Sequence, residues 1–268
     1  MTRLTNRFEQ LRAHGEKALI AYVTAGDPAA ERTVKIVLAL RQAGVDVVEL
    51  GIPFSDPLAD GPSIQASSQR ALERGMTVPG VLAISRAIRR EAPDLPLVLM
   101  TYYNPILRYG LERYAADAKD SGVDGHIVTD LTPEESHDWK RISTDLDLDT
   151  IFLLAPTSTP QRISTVAQIS SGFLYCVSRT GVTGARKDVP VELTEVVGRI
   201  KAGTRLPVCV GFGISAPEHV SRICAFADGV VVGSSLVDLI DRQRDDGNLL
   251  EHVRIYASAL KAPTRLSS

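Results

Sequence analysis

Nothing in this chain approaches the roughly 18 consecutive apolar residues that a membrane span requires. Charge of one sign is also missing. Lys and Arg number 30 against 32 Asp and Glu, a net charge of −2, which excludes the basic footprint of a nucleic-acid binder. The segment from Met1 to Glu16 alternates charges with Leu4, Phe8 and Leu11. It has no apolar h-region, so it does not read as a secretory signal. Cysteine is scarce: Cys176, Cys209 and Cys224 show no CxxC spacing, and two of them lie in apolar strand-like runs. That usage points to reduced core residues in a cytoplasmic protein. There is no linker and no low-complexity stretch, so residues 1–268 read as one domain with a frayed tail at 262–268.

What is present is an alternation. Apolar strand-like runs occur at 18–25, 45–52, 95–103, 125–130, 150–155, 172–178, 206–213 and 228–233, with amphipathic helical patterns between them. One such pattern is 30–43, with Val34, Val37, Leu38 and Leu40 as its stripe. Near-continuous apolarity suits parallel strands covered on both faces. A doubly wound sheet is the alternative, but eight βα units without a break favour an α/β fold of the single-domain (β/α)8 TIM barrel type. Extra helices are expected near 1–14 and 61–72. Thr132-Pro133-Glu134-Glu135 and Ser215-Ala216-Pro217-Glu218 read as capping boxes.

In such a barrel the active site lies at the carboxyl ends of the strands. There the second run ends in Glu49, and eleven residues later Asp60 sits in a loop stiffened by Pro53 and Pro57. Strand parity groups Val45, Val47 and Glu49 on one face, predicted to be the interior, with Val48 and Leu50 on the other. The same rule turns Phe173, Tyr175 and Val177 one way and makes Tyr175 an interior residue. Two carboxylates in unlike surroundings are the usual arrangement for acid/base chemistry. Gly211-Phe212-Gly213-Ile214-Ser215 and Gly233-Ser234-Ser235 occupy the loops after the seventh and eighth runs, a frequent phosphate site in barrel enzymes. Gly181-Val182-Thr183-Gly184 offers a further backbone donor.

Absences narrow the chemistry. None of the lysines, at 17, 35, 119, 140, 187, 201 and 261, falls in the carboxyl half of a run, which disfavours imine catalysis. The histidines, at 14, 126, 137, 219 and 252, show no HxH or HExxH spacing, so no metal is expected. Metal-free proton transfer on a phosphorylated substrate remains.

The stretch from Val48 to Gly61 resembles the signature of the tryptophan synthase alpha chain family. The likeness continues through Thr24-Ala25-Gly26-Asp27-Pro28, Ser178–Gly184 and Gly211–Ser215, and covers almost the whole chain. It implies a lyase that splits indole-3-glycerol phosphate into indole and glyceraldehyde 3-phosphate. It also implies a beta chain partner, in an α2β2 assembly, which joins indole to serine using its own PLP; the alpha chain needs no cofactor. By the resemblance, Glu49 is the principal acid/base and Asp60 binds the indole N–H. Tyr175, Tyr102, Met100 and Phe212 surround the substrate. Thr183 and Arg179 belong to a closing loop, while Gly184, Gly213, Gly233, Ser234 and Ser235 hold phosphate. Asp56 and Pro57 face the beta chain. Tyr102–Leu107 and Phe152–Thr157 are similar to the cyanobacterial and plant branch, and Thr129 stands where many members carry a small apolar residue. The segment 224–229 is one residue shorter than in many members.

Ordinary readings stand beside these. Glu49 could pair with a buried cation, and Asp60 could cap the helix that follows it. Tyr175 could be core, and Arg179 and Thr183 plain loop chemistry. Three functions stay open: the alpha subunit of a tryptophan-producing complex, a stand-alone lyase releasing indole, and a non-catalytic activator of a beta chain.

Overall fold

The computed structural model describes residues 2–177, 191–211 and 213–265. Its strands are β1 (Ala18–Thr24), β2 (Val47–Gly51), β3 (Leu97–Thr101), β4 (Gly125–Val128), β5 (Asp149–Ile151), β6 (Leu153–Leu154), β7 (Leu174–Val177), β8 (Val208–Gly211) and β9 (Gly229–Val232). They form one parallel sheet in the order β5-β4-β3-β2-β1-β9-β8-β7-β6. β5 and β6 are a single passage of chain interrupted at Phe152, whose carbonyl accepts from Tyr175 N at 3.2 Å. The ends of the order therefore meet, and the sheet is the (β/α)8 barrel that the eight apolar runs imply.

Around it lie α1 (Arg3–Ala13), α2 (Ala30–Gln42), α3 (Pro62–Glu73), α4 (Val78–Glu91), α5 (Tyr103–Tyr109), α6 (Leu111–Asp120), α7 (His137–Asp145), α8 (Pro160–Ile169), α9 (Val191–Ala202), α10 (Pro217–Cys224), α11 (Ser234–Arg242) and α12 (Leu249–Lys261). The expected extra helices are α1 and α3. Leu4, Phe8 and Leu11 of α1 join Ala18, Ile20, Val47, Val98, Ile127, Ile151, Phe173, Cys209 and Val231 in the interior cluster. The helix thus plugs the amino end, where the Phe8 and Phe173 rings lie 5.7 Å apart. The alternate strand residues, Val48 and Leu50 among them, pack against the outer helices.

Aspartates close the same end. Asp46, Asp124 and Asp228 each precede a strand by one residue and accept a neighbouring backbone N–H: Leu19 at 2.7 Å, Leu97 at 2.9 Å and Val208 at 3.0 Å. Asp46 also holds Lys261 of α12 at 2.8 Å, with both side chains buried. Arg7 of α1 reaches the other Asp46 oxygen at 2.5 Å and Glu16 lies 3.5 Å from Lys261, so the pair is part of a small ionic network that ties α1 and α12 to the amino end of β2. This end is built for stability, which leaves the opposite end for chemistry.

Four expectations need correction. Val45 packs with the outer cluster, because the pleat that fixes facing begins only at Val47. Thr132 donates to the Glu135 carboxylate at 2.9 Å instead of accepting from a backbone N–H, and 133–135 forms a separate 3-10 turn before α7. At the other expected capping box Ala216 is the cap residue, so Ser215 lies one position too early to serve. The tail is ordered through Arg265. Ala262–Thr264 form a 3-10 turn, Thr264 is fully buried, and its carbonyl accepts from Lys17 N at 2.9 Å.

Candidate active site

β2 delivers Glu49 to the barrel interior on the face of Val47. The side chain is 1% exposed, and neither carboxyl oxygen has a hydrogen-bond partner among the described residues. An unpaired carboxylate is expensive in such a place. Burial accordingly raises its pKa from 4.5 to about 8, so the group is mainly neutral at pH 7. The alternative of a structural acid neutralised by a buried cation has no cation here among the described residues.

Asp60 belongs to the loop between β2 and α3. Burial raises its pKa to about 6, and a hydrogen bond with Tyr102 opposes the rise. It is therefore mainly ionised at pH 7, the reverse of Glu49. Tyr102 organises the loop: its hydroxyl accepts from Ala59 N at 2.9 Å, and its ring lies 5.2 Å from that of Phe54. The Gln65 side chain donates to Asp60 O at 2.8 Å. The cap of α3 is Gly61, with no side-chain cap bond, so Asp60 does not serve as one. Thr129 donates to Thr101 O at 3.2 Å, and its hydroxyl also influences the Tyr102 phenol.

Two tyrosines fill the mouth, and two glycines make room for them. A Cβ on Gly51 would lie 2.1 Å from the Tyr22 hydroxyl, and one on Gly211 would lie 2.5 Å from that of Tyr175. Tyr22 pairs in register with Glu49. Burial raises both phenols, with smaller contributions from Glu49 and Asp60. Both phenols therefore remain protonated donors. Tyr175 packs with the interior cluster as parity implies, and so does Met100.

The opposite wall is suited to an anion. Gly233 caps α11, and its carbonyl takes the first helical bonds from Leu236 and Val237. The N–H groups of Ser234 and Ser235 precede those bonds and carry the positive end of the helix dipole. Gly213 turns the adjacent loop at φ 44°, within the left-handed region that favours glycine. A Cβ on Gly233 would sit 3.7 Å from Tyr22 Cβ, which links this cradle to the tyrosine beside Glu49. The Ser235 hydroxyl donates to Ile214 O at 2.6 Å, which leaves its backbone N–H as the donor for a ligand.

The structure thus gathers Glu49, Asp60, Tyr102, Tyr175, Met100, Gly213, Gly233, Ser234 and Ser235 at one end of the barrel. Arg179, Thr183, Gly184 and Phe212 lie outside the described residues. Asp56 and Pro57 sit on the Asp60 loop, with Asp56 exposed and the following Leu58 93% exposed. Sequence reasoning missed Tyr22, Ile127 and Leu153, all on the interior side. The parity used for Glu49 would have found Tyr22 two residues beyond Ile20. His126 faces outward among Tyr114 and Trp139, and burial lowers its pKa to about 3. It takes no part in the site.

A sequence profile of the family described as tryptophan synthase alpha chain matches residues 8–265. Tryptophan synthase alpha chains of Geotalea uraniireducens and Citrifermentans bemidjiense are 49% and 50% identical to this chain. The alignments cover 98% and 97% of it, and 97% of each relative. The crystal structure of tryptophan synthase subunit alpha from Legionella pneumophila superposes with a TM-score of 0.92 at 37% identity, covering 98% of both chains. A chain of tryptophan synthase from M. tuberculosis gives 0.90 at 37% identity, with each chain covered in full. Agreement over the whole barrel, in sequence and in structure, settles the relationship: this chain belongs to the tryptophan synthase alpha chain family.

Proposed function

We propose that the chain is the alpha subunit of tryptophan synthase, a lyase acting in tryptophan biosynthesis. It cleaves indole-3-glycerol phosphate to indole and glyceraldehyde 3-phosphate and passes indole to a PLP-dependent beta chain. PLP belongs to that partner, and the steps below use only side chains and backbone of this chain. The carrying observation is Glu49, a buried carboxyl group with no hydrogen-bond partner among the described residues, which burial keeps mainly neutral at pH 7.

The substrate phosphate docks on the N–H groups of Ser234 and Ser235, with Gly213 and Gly233 allowing close approach. Gly184 completes this cradle by family resemblance. The indole lies across the mouth between Tyr22, Met100, Tyr102 and Tyr175, with Phe212 expected from the resemblance. Glu49 delivers its proton to the ring carbon that bears the side chain. The resulting positive charge is shared with the ring nitrogen, whose N–H donates to the Asp60 carboxylate. The Glu49 carboxylate then takes the proton of the adjacent side-chain hydroxyl. A C=O bond forms, the C–C bond breaks, and its electron pair returns to the ring. One proton is given and one recovered, so Glu49 ends as it began. Each of these two groups supplies on the order of 10²–10⁴-fold in rate. Arg179 and Thr183 are the resemblance's candidates for a loop that excludes water.

Leu58, projecting beside Asp56 and Pro57 at 93% exposure, supports docking of a beta chain on the Asp60 loop. Docking there would couple the partner directly to the charge-balancing carboxylate, in an α2β2 complex and, by expectation, in the cytoplasm. The deciding experiment is turnover of purified indole-3-glycerol phosphate by Glu49→Gln, with and without a beta chain. Cleavage should vanish while substrate still binds, and near-normal turnover would defeat the assignment. Wild-type activity that is full without the beta chain would instead identify a stand-alone lyase. No cleavage under either condition would identify an activator.

A further inference from the structure

Among the described residues, the Ser235 hydroxyl has two hydrogen-bond partners. It donates to Ile214 O at 2.6 Å and accepts from the Tyr256 hydroxyl at 2.8 Å. Tyr256 stands on α12, outside the cradle, and its hydroxyl also lies 3.4 Å from Ser215 O. Each hydroxyl has one proton, so the chain runs one way, from Tyr256 to Ser235 to the Ile214 carbonyl. This chain joins the two segments that would share a phosphate. One is the turn at 213–215, which the Ile214 side chain anchors in the core at 2% exposure. The other is the first turn of α11. Gly213 and Gly233 contribute no side chain to the junction between the two segments, and the hydrogen-bonded chain from behind links them.

We propose that Tyr256 is a positioning residue for the phosphate cradle: its hydroxyl fixes Ser235, and Ser235 fixes the 213–215 turn against the α11 N-terminus. The inference rests on the reading of that cradle as the phosphate site. Tyr256 does not touch substrate. It sets the distance between the two groups of backbone donors, and it keeps the Ser235 hydroxyl turned toward Ile214 and out of the anion's place. Loss of its hydroxyl should weaken phosphate binding without altering the carboxylates that carry out the cleavage.

Tyr256→Phe removes one oxygen and keeps the ring that packs on the outer core. Steady-state kinetics of the full chain should show KM raised about threefold to tenfold, the equilibrium weight of one net hydrogen bond, and kcat changed less than twofold. Competitive inhibition by inorganic phosphate should weaken by the same factor, while inhibition by indole, which carries no phosphate, stays constant. Ser235→Ala should reproduce the effect, and the double variant should add nothing to it.

A purely structural tyrosine would lower the melting temperature and leave KM and phosphate inhibition unmoved. That result would overturn the proposal, as would equal weakening toward phosphate and indole. Ser234→Asp separates this failure from failure of the site itself, because it places a negative charge where the phosphate should sit. If Ser234→Asp abolishes phosphate inhibition and Tyr256→Phe leaves it intact, only the positioning role falls. If neither variant changes it, the cradle assignment falls as well.

Discussion

Glu49→Gln should make the protein more stable as it makes it inactive, by an amount that depends on pH. The folded state holds Glu49 at about 8 against an ordinary value of 4.5. The folded protein therefore binds this proton more tightly than the unfolded chain does. Where both states are protonated, below about pH 4.5, the group has no differential effect. As pH rises from 4.5 to 8 the unfolded carboxyl ionises first, and stability falls by about 1.4 kcal/mol per unit. The accumulated penalty is under about 1 kcal/mol at pH 5, about 3 at pH 7 and about 4–5 at pH 8.5. Glutamine has nearly the same shape and cannot ionise, so the substitution removes the penalty. Denaturant unfolding of both proteins at pH 5, 7 and 8.5 measures it directly. The stability gap should open with pH in favour of Glu49→Gln. A gap that is constant with pH, or a variant less stable than wild type at pH 8.5, would refute the reasoning from burial to neutral acid.

The same two groups shape the rate. The proposed mechanism requires Glu49 neutral and Asp60 ionised, so kcat/KM should follow a bell between about 6 and about 8. Asp60→Asn should lower turnover by on the order of 10²-fold and abolish the acidic limb; a limb that persists would assign it elsewhere. Gly211→Ala drives a methyl group against the Tyr175 hydroxyl and should destabilise by about 1–3 kcal/mol. Thermal melts should show a smaller loss when Gly211→Ala is made in a Tyr175→Ala background, because ring carbon Cε2 lies 2.7 Å from the same position; an equal loss would place the clash elsewhere. Leu58→Asp should abolish stimulation by a beta chain and leave isolated cleavage within about twofold, since a solvent-facing side chain contributes little to the fold. Undiminished stimulation in a titration with beta chain would move the interface off this loop.

Much of the site was legible because strands impose a period of two. Val47, Val48 and Leu50 disclose which face of β2 is interior, and Glu49 follows from them. The rule was weaker at the edges, where it placed Val45 inside although the pleat starts two residues later. Tyr22 was equally accessible to it and went unread, since an aromatic within a strand resembles ordinary core. Ser215 and Thr132 fitted the capping pattern, yet helix starts depend on where the chain leaves the barrel. There Ala216 and a 3-10 turn prevailed. The loop residues Arg179 and Thr183 rest on resemblance alone.

The sequence by itself determined the barrel, the family, and the positions of the two candidate acids. Apolar periodicity, glycine placement and unusual motifs are properties of neighbouring residues, which a linear chain displays. Their protonation states were decided only in three dimensions. Burial favours the neutral form of Glu49, whose oxygens have no partner among the described residues, while Asp60 beside Tyr102 favours the ionised form at pH 7. Tertiary packing also set the tyrosine hydroxyls over Gly51 and Gly211 and joined Tyr256 to Ser235 across 21 positions. Desolvation and close approach depend on residues far apart in the chain, so folding had to bring them together before either could act.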